Sequence, residues 1–146
     1  MLRGNAPAKI DDKGRLKVPT AFRALMQEKY GHELFVTSVE GHSVLIYPKP
    51  VWLEIEAQLA KAPQSHPSVR KYKERTSFYG ADAEMDNQGR VLIHPLLRDS
   101  AQMAGDVDVL GQQTFVEVWN HDRFLARLHG DPFTDDDARA LAEFGL

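Results

Sequence analysis

A chain of 146 residues, 42% apolar and 27% charged, is long enough for one domain or for two small halves around a shared core. It has no cysteine, which excludes disulfides, thiolate nucleophiles and cysteine-bound zinc. The net charge of −3 argues by itself against a polyanionic partner, yet residues 1–30 hold seven Lys or Arg against three acids and residues 131–146 hold five acids against Arg139 alone, so one end can attract a polyanion while the whole stays acidic.

In chain order, the N-terminal residues are interrupted by Arg3, Lys9, Asp11 and Asp12 before any apolar targeting segment could form. Apolar runs such as Val44 to Tyr47 are too short to span a bilayer, and an intracellular location is expected. Asp12-Lys13-Gly14 reads as a tight turn, since Gly supplies the positive φ and Asp tolerates it. After the turn, Leu16 and Val18 alternate with Arg15 and Lys17, the pattern of a half-buried strand that carries Arg15 exposed on its rim. Pro19 opens a helix whose Phe22, Leu25 and Met26 share a face and which Gly31 stops. A hairpin follows, Leu34–Val39 and Val44–Tyr47 around Glu40 to Ser43, and then a helix with Trp52, Ile55 and Leu59 on one stripe. Ala62 to Pro67 is a breaker-rich link, and Ser68–Tyr79 reads as a helix with Val69, Tyr72 and Thr76 on one side.

The pattern then restarts. Ala8 to Arg23 and Ala83 to Arg98 are two copies of one sixteen-residue phrase, seventy-five residues apart, with identity at the Ala, Asp, Gly, Arg and closing Arg positions. Average amino-acid usage gives roughly one such identity by accident. A turn at Asn87-Gln88-Gly89, a helix opened by Pro95 and closed by Gly105, and a hairpin of Val107–Leu110 with Phe115–Trp119 complete the second unit. Asn120 caps a helix carrying Phe124 and Leu128, and Thr134 caps a short terminal one. The organisation expected is a first repeat at 5–51, a helical connector at 52–80, a second repeat at 81–124 and a helical tail at 125–146. One copy has too few strands to cover a core; two that interleave hairpins close a small barrel.

The run Asp11-x-Lys13-Gly14-Arg15-Leu16-x-Val18-Pro19 followed by Phe22-Arg23 resembles the swapped-hairpin DNA-binding proteins typified by AbrB and SpoVT. Two tandem copies, with Met1-x-Arg3-Gly4, Tyr47-Pro48-x-Pro50-x-Trp52, Gly89-Arg90-Val91-Leu92-Ile93-x-Pro95-x-Leu97-Arg98 and Val118-Trp119, are similar to the MraZ family over nearly the whole chain. The resemblance implies a mainly β protein with helices (α+β), its two units forming an intramolecular swapped-hairpin, or double-split, β-barrel. It also implies a bacterial transcriptional regulator of its own operon, the division and cell-wall gene cluster. Such a protein would form a homo-oligomeric ring of identical subunits, bind short direct repeats in double-stranded promoter DNA, and lie in the cytoplasm with the nucleoid.

Carried onto this chain, the DNA-facing tip is Lys13, Gly14 and Arg15 with Lys17 beside them; the second copy holds Gln88, Gly89 and Arg90 there, with Leu92 in place of the second lysine. The second tip is less basic, so the first is expected to dominate contact. Arg15 has the chemistry to reach guanine O6 and N7 or a phosphate. Lys9 and Arg3 extend the basic stripe, while Arg23 and Arg98 either meet phosphate or clamp Asp11 and Asp86 in ion pairs. The basic run Arg70 to Arg75 reads as a solvated helix face, with DNA backbone contact as the alternative. The six histidines show no metal spacing, and no phosphate-loop, dinucleotide or nucleophile-elbow motif is present, so neither metal, cofactor nor enzymatic activity is expected. The competing reading is an antitoxin-like or scaffold module that uses the same barrel for protein partners, served by the acidic tail.

Overall fold

In the computed structural model, which describes residues 1–146, the first phrase lies on β1 (Leu2–Ile10), β2 (Arg15–Lys17) and α1 (Thr20–Tyr30), followed by the hairpin β3 (Glu33–Thr37) and β4 (Val44–Pro48). Two helices, α2 (Lys49–Lys61) and α3 (Pro67–Phe78), lead to the second copy: β5 (Ala81–Glu84), β6 (Arg90–Leu92), α4 (Pro95–Ser100), β7 (Gly105–Gln113) and β8 (Val116–Asn120). The chain ends with α5 (His121–Gly130) and α6 (Asp135–Ala142).

The strands form one antiparallel sheet in the order β5-β3-β4-β8-β7-β1-β2-β6. The two copies therefore interdigitate. The first strand of each copy pairs with the first hairpin strand of the other, β1 with β7 and β5 with β3. The two short strands pair with each other, as do β4 and β8. This is a swapped-hairpin barrel built within one chain, closed except between β5 and β6. Its pseudo-twofold runs through the Leu16–Val91 pair, where residue 16 meets its own counterpart seventy-five positions on.

Alternation fills the barrel. Leu16, Val18, Val91 and Ile93 are all but fully buried and meet Met26, Val36, Ile46, Leu97, Val109 and Val118 in a single core drawn from both copies. One shared core is why neither copy is a closed unit alone. A smaller cluster lies under α2, where Trp52 stacks on Phe35 with ring centroids 4.5 Å apart and Tyr47 on Phe115 at 4.6 Å. Burial holds the Tyr47 hydroxyl well above its ordinary pKa, and Tyr72 adds to the effect.

The expected helices, hairpins and caps are present, with three differences. The second hairpin turns at Thr114 and Phe115 rather than at Gly111 to Gln113, because those three residues continue β7 opposite Leu2 to Gly4. β1 begins at Leu2 and pairs with β7 over nine residues, Leu2 opposite Gln113 through Ile10 opposite Gly105. And α4 stops at Ser100 rather than at Gly105. Gln102 adopts the left-handed conformation (φ 53°) and the Met103 amide reaches back to the Arg98 carbonyl at 2.9 Å, a Schellman closure that drops Ala101 and Met103 into the core. Gly105 instead starts β7. No helix is long and apolar enough to cross a membrane.

Candidate nucleic-acid interface

Each phrase folds its turn around one carboxylate. Asp11 Oδ1 accepts the amides of Lys13 (3.0 Å) and Arg15 (2.9 Å), and its Oδ2 accepts Arg15 Nε at 2.8 Å. Asp86 repeats this with Gln88 (2.9 Å), Arg90 (2.8 Å) and Arg90 Nε (3.0 Å). The backbone closes both turns identically, Gly14 to the Asp11 carbonyl and Gly89 to that of Asp86, each at 3.0 Å. Hydrogen bonds to the charged form lower a carboxylate pKa. Both aspartates accordingly sit below the ordinary value, with the Arg15 or Arg90 amide as the largest cause.

The arginines are thus less free than the alternation alone suggests. The Arg15 side chain is 30% exposed and that of Arg90 28%, each tied through Nε to its own aspartate. No protein acceptor engages their terminal Nη nitrogens, which remain open to a ligand. The aspartates fix the aim of each guanidinium without capping it.

Arg23 and Arg98 do not clamp Asp11 and Asp86. Each crosses to the other copy. Arg23 donates to the Asn87 carbonyl at 2.6 Å and lies over Gly89; Arg98 lies over Gly14 and donates from Nε and Nη2 to the Ile93 carbonyl at 3.2 and 3.0 Å. A Cβ on Gly14 would come within 2.0 Å of the Arg98 guanidinium carbon, and Gly14 has φ +81°. Glycine is required here both for the turn and for the arginine above it. The backbone completes the exchange, Val18 N–H to the Gly89 carbonyl (2.8 Å) and Ile93 N–H to the Gly14 carbonyl (3.0 Å). Gly14 and Gly89 are buried and hold the tips in shape.

β2 and β6 form a short ribbon in which Arg15 faces Leu92 and Lys17 faces Arg90. With Leu16 and Val91 inward, these four residues share the outer face. Like charges directly opposite are destabilising. Arg90 has Asp86, but Lys17 forms no ion pair, so the ribbon carries a repulsion that an anion would relieve. Lys13 and Gln88 are exposed on the flanking turns. The fold thus gathers Lys13, Arg15, Lys17, Gln88 and Arg90 at one place, so that the two tips form one surface.

The other basic candidates stand apart or nearby. Lys9 is exposed on the outer side of β1 and lies 3.9 Å from Asp106. Arg3 is exposed at the opposite end of β1 from Ile10, which pairs with β2; at strand rise that is about 23 Å away. Arg70 and Lys71 are both exposed on α3, and Arg75 donates to the Val39 carbonyl. No cluster of His, Asp and Glu converges as a metal site would require. Two features escaped sequence reasoning, the crossing of Arg23 and Arg98 and the cross-copy pairing that sets Leu92 opposite Arg15. The equal spacing of the closing arginine in both copies was the one signal for the first.

A family model described as "MraZ protein, putative antitoxin-like" matches residues 1–75 and 78–144. The chain is 46% identical to a transcriptional regulator MraZ of Acidobacterium capsulatum over 146 residues, covering all of both chains. It is 40% identical to that of Koribacter versatilis over 147 aligned positions, again over all of both, and 38% identical to that of Herpetosiphon aurantiacus over 144, covering 98% of this chain and 95% of the relative.

Proposed function

The chain belongs to the MraZ family, and from that premise we propose that it is a DNA-binding transcriptional regulator whose reading head is the β2–β6 ribbon with its two turns. The observation that carries this is the outward cationic face of the ribbon, where Lys17, which forms no ion pair, lies opposite Arg90, and Arg15 and Arg90 keep their Nη groups unclaimed beyond the Nε bonds to Asp11 and Asp86. A two-stranded ribbon fits the major groove, where an arginine reads guanine O6 and N7 in bidentate fashion. Arg15 and Arg90 are pre-aimed by Asp11 and Asp86, which removes side-chain freedom before binding. In this reading the exposed Lys13, Lys17, Lys9 and Gln88 meet phosphate, with Gly14 and Gly89 as the bends and Arg23 as a brace. Arg3 would touch DNA only beyond the reach of this ribbon.

The same reading includes the finer expectations: a homo-oligomeric ring, direct repeats in the promoter of its own gene and of a division and cell-wall cluster, and residence with the nucleoid. It also keeps the repeat bounds 5–51 and 81–124, the connector 52–80 and the tail 125–146 as units of sequence. A ring answers the net charge of −3, because repetition places cationic ribbons on one face and multiplies weak single contacts. The test is Arg15→Ala binding to a duplex from upstream of its own gene at two salt concentrations. Loss of affinity, with a salt slope flatter by about 0.9 log units per lost phosphate contact, supports the regulator. Undiminished affinity would transfer the surface to a protein partner, as an antitoxin-like module requires.

A further inference from the structure

The reading head is twofold in backbone but not in chemistry. Positions 15 and 90 are both arginine, whereas Lys17 has Leu92 as its counterpart. A fully symmetric ribbon would look the same from either end and would suit a palindromic element. Leu92 breaks that equivalence at the centre of the face. It is 54% exposed, flanked along its strand by the buried Val91 and Ile93, and directly opposite Arg15. A single exposed leucine is ordinary on a protein surface. This one stands on the face that holds Arg15, Lys17 and Arg90, where its isobutyl group can neither bind phosphate nor hydrogen-bond to a base. The apolar group that base edges present in the major groove is the C5-methyl of thymine.

We propose that Leu92 packs on a thymine methyl and that this contact, with the Lys13–Gln88 difference on the flanking turns, gives the recognised element a direction. The inference rests on the regulator reading above and adds one contact to it. Arg15, fixed by Asp11, sits across the ribbon, so the guanine it reads and the thymine that Leu92 touches would occupy neighbouring steps.

The test uses the full chain and the duplex immediately upstream of its own gene, amplified either with dTTP or with dUTP, which deletes every C5-methyl. The wild type should bind the uracil duplex about three- to fivefold more weakly for each methyl contacted. Leu92→Ala should bind the thymine duplex as weakly as the wild type binds the uracil one and should not distinguish the two. Leu92→Lys, which makes this position match Lys17, should steepen the salt dependence by about 0.9 log units and lose the methyl preference. Arg15→Ala should weaken both duplexes while keeping the preference. A wild type indifferent to uracil, or a Leu92→Ala chain that keeps the thymine preference, overturns the inference and leaves the regulator reading standing. Absence of salt-sensitive binding by the wild type removes both.

Discussion

The two turns, Asp11–Arg15 and Asp86–Arg90, share the carboxylate and backbone hydrogen bonds that close them and differ in side chains they present outward, Lys13 against Gln88 and Lys17 against Leu92. Asp, Gly, Arg and the distant helical Arg are identical, and each serves the structure, as carboxylate hub, left-handed bend, oriented guanidinium and a side chain laid over the glycine of the opposite turn, where Arg23 also donates to Asn87 while Arg98 donates to Ile93 of its own copy. Lys13 against Gln88 and Lys17 against Leu92 have no side-chain partner inside the fold. Identity between the copies therefore marks the scaffold, and divergence marks the surface offered to another molecule. Arg15 and Arg90 belong to both sets, since Nε serves the turn and the Nη groups remain free.

The most direct challenge to this division is to give the bends side chains. Gly14→Ala should cost about 2–3 kcal/mol, from a Cβ in the left-handed region and from displacing Arg98 off the Ile93 carbonyl. Gly89→Ala should cost less, because its Cβ would meet the flexible Cδ of Arg23 at 2.7 Å rather than a guanidinium carbon at 2.0 Å. Denaturant midpoints check both, and two losses no larger than those of surface substitutions would refute the reciprocal bracing. Next in size, Arg98→Ala and Arg23→Ala should each lose about 1 kcal/mol, since these bonds are charge-assisted but partly exposed. If the two braces support one another, the sum of the single losses will differ from the loss in the double variant, which a double-mutant cycle measures.

Smaller effects follow from titration. Asp11 and Asp86 have folded pKa values below their unfolded ones, so the stability they supply is present above the unfolded carboxylate pKa and is lost as pH falls through the folded value. Asp11→Asn should flatten the acid limb of a melting-temperature profile, and so should Asp86→Asn. His121 runs the other way. Its hydrogen bond to the buried Asp108, at 2.7 Å, raises its pKa, so its contribution is full below the unfolded histidine pKa and disappears as pH rises through the folded one. Comparing His121→Asn with the wild type from about pH 5 to about pH 8 should show a deficit confined to the acidic side. The smallest effect belongs to the tail. Thr134→Ala removes a complete capping box, yet α6 buries no residue, so its helicity should fall without a shift in the global midpoint.

Much of the scaffold was legible because its causes are local. Asp-x-x-Gly-Arg writes its own turn, Pro19 and Pro95 mark helix starts, and Asn120 and Thr134 cap the helices that follow them. The hidden parts are long-range. Gly4, Asn5 and Pro7 are poor strand formers, and β1 exists because β7 supplies a nine-residue partner. The stop of α4 before Gln102 had no glycine to announce it, only the pull of Ala101 and Met103 into the core. Nor could spacing reveal that Arg23 serves Asn87, or that Lys17 would face Arg90, because both depend on the register between copies. The outward chemistry was readable residue by residue; its assembly into one head was not.

The pairing of β1 with β7 also bears on how the protein is made. β1 hydrogen-bonds with a strand synthesised about a hundred residues later, Leu2 opposite Gln113. Until then the nascent first copy carries unsatisfied edges and half of a core, and such non-local topology folds slowly. During that wait, the nearest mate for one first copy is the first copy of a neighbouring nascent chain, because the same Gly14 carbonyl and Val18 amide can be exchanged between equals. Closing on itself and pairing with a neighbour thus draw on the same backbone partners, and the interval before β7 is made is the one in which the two compete.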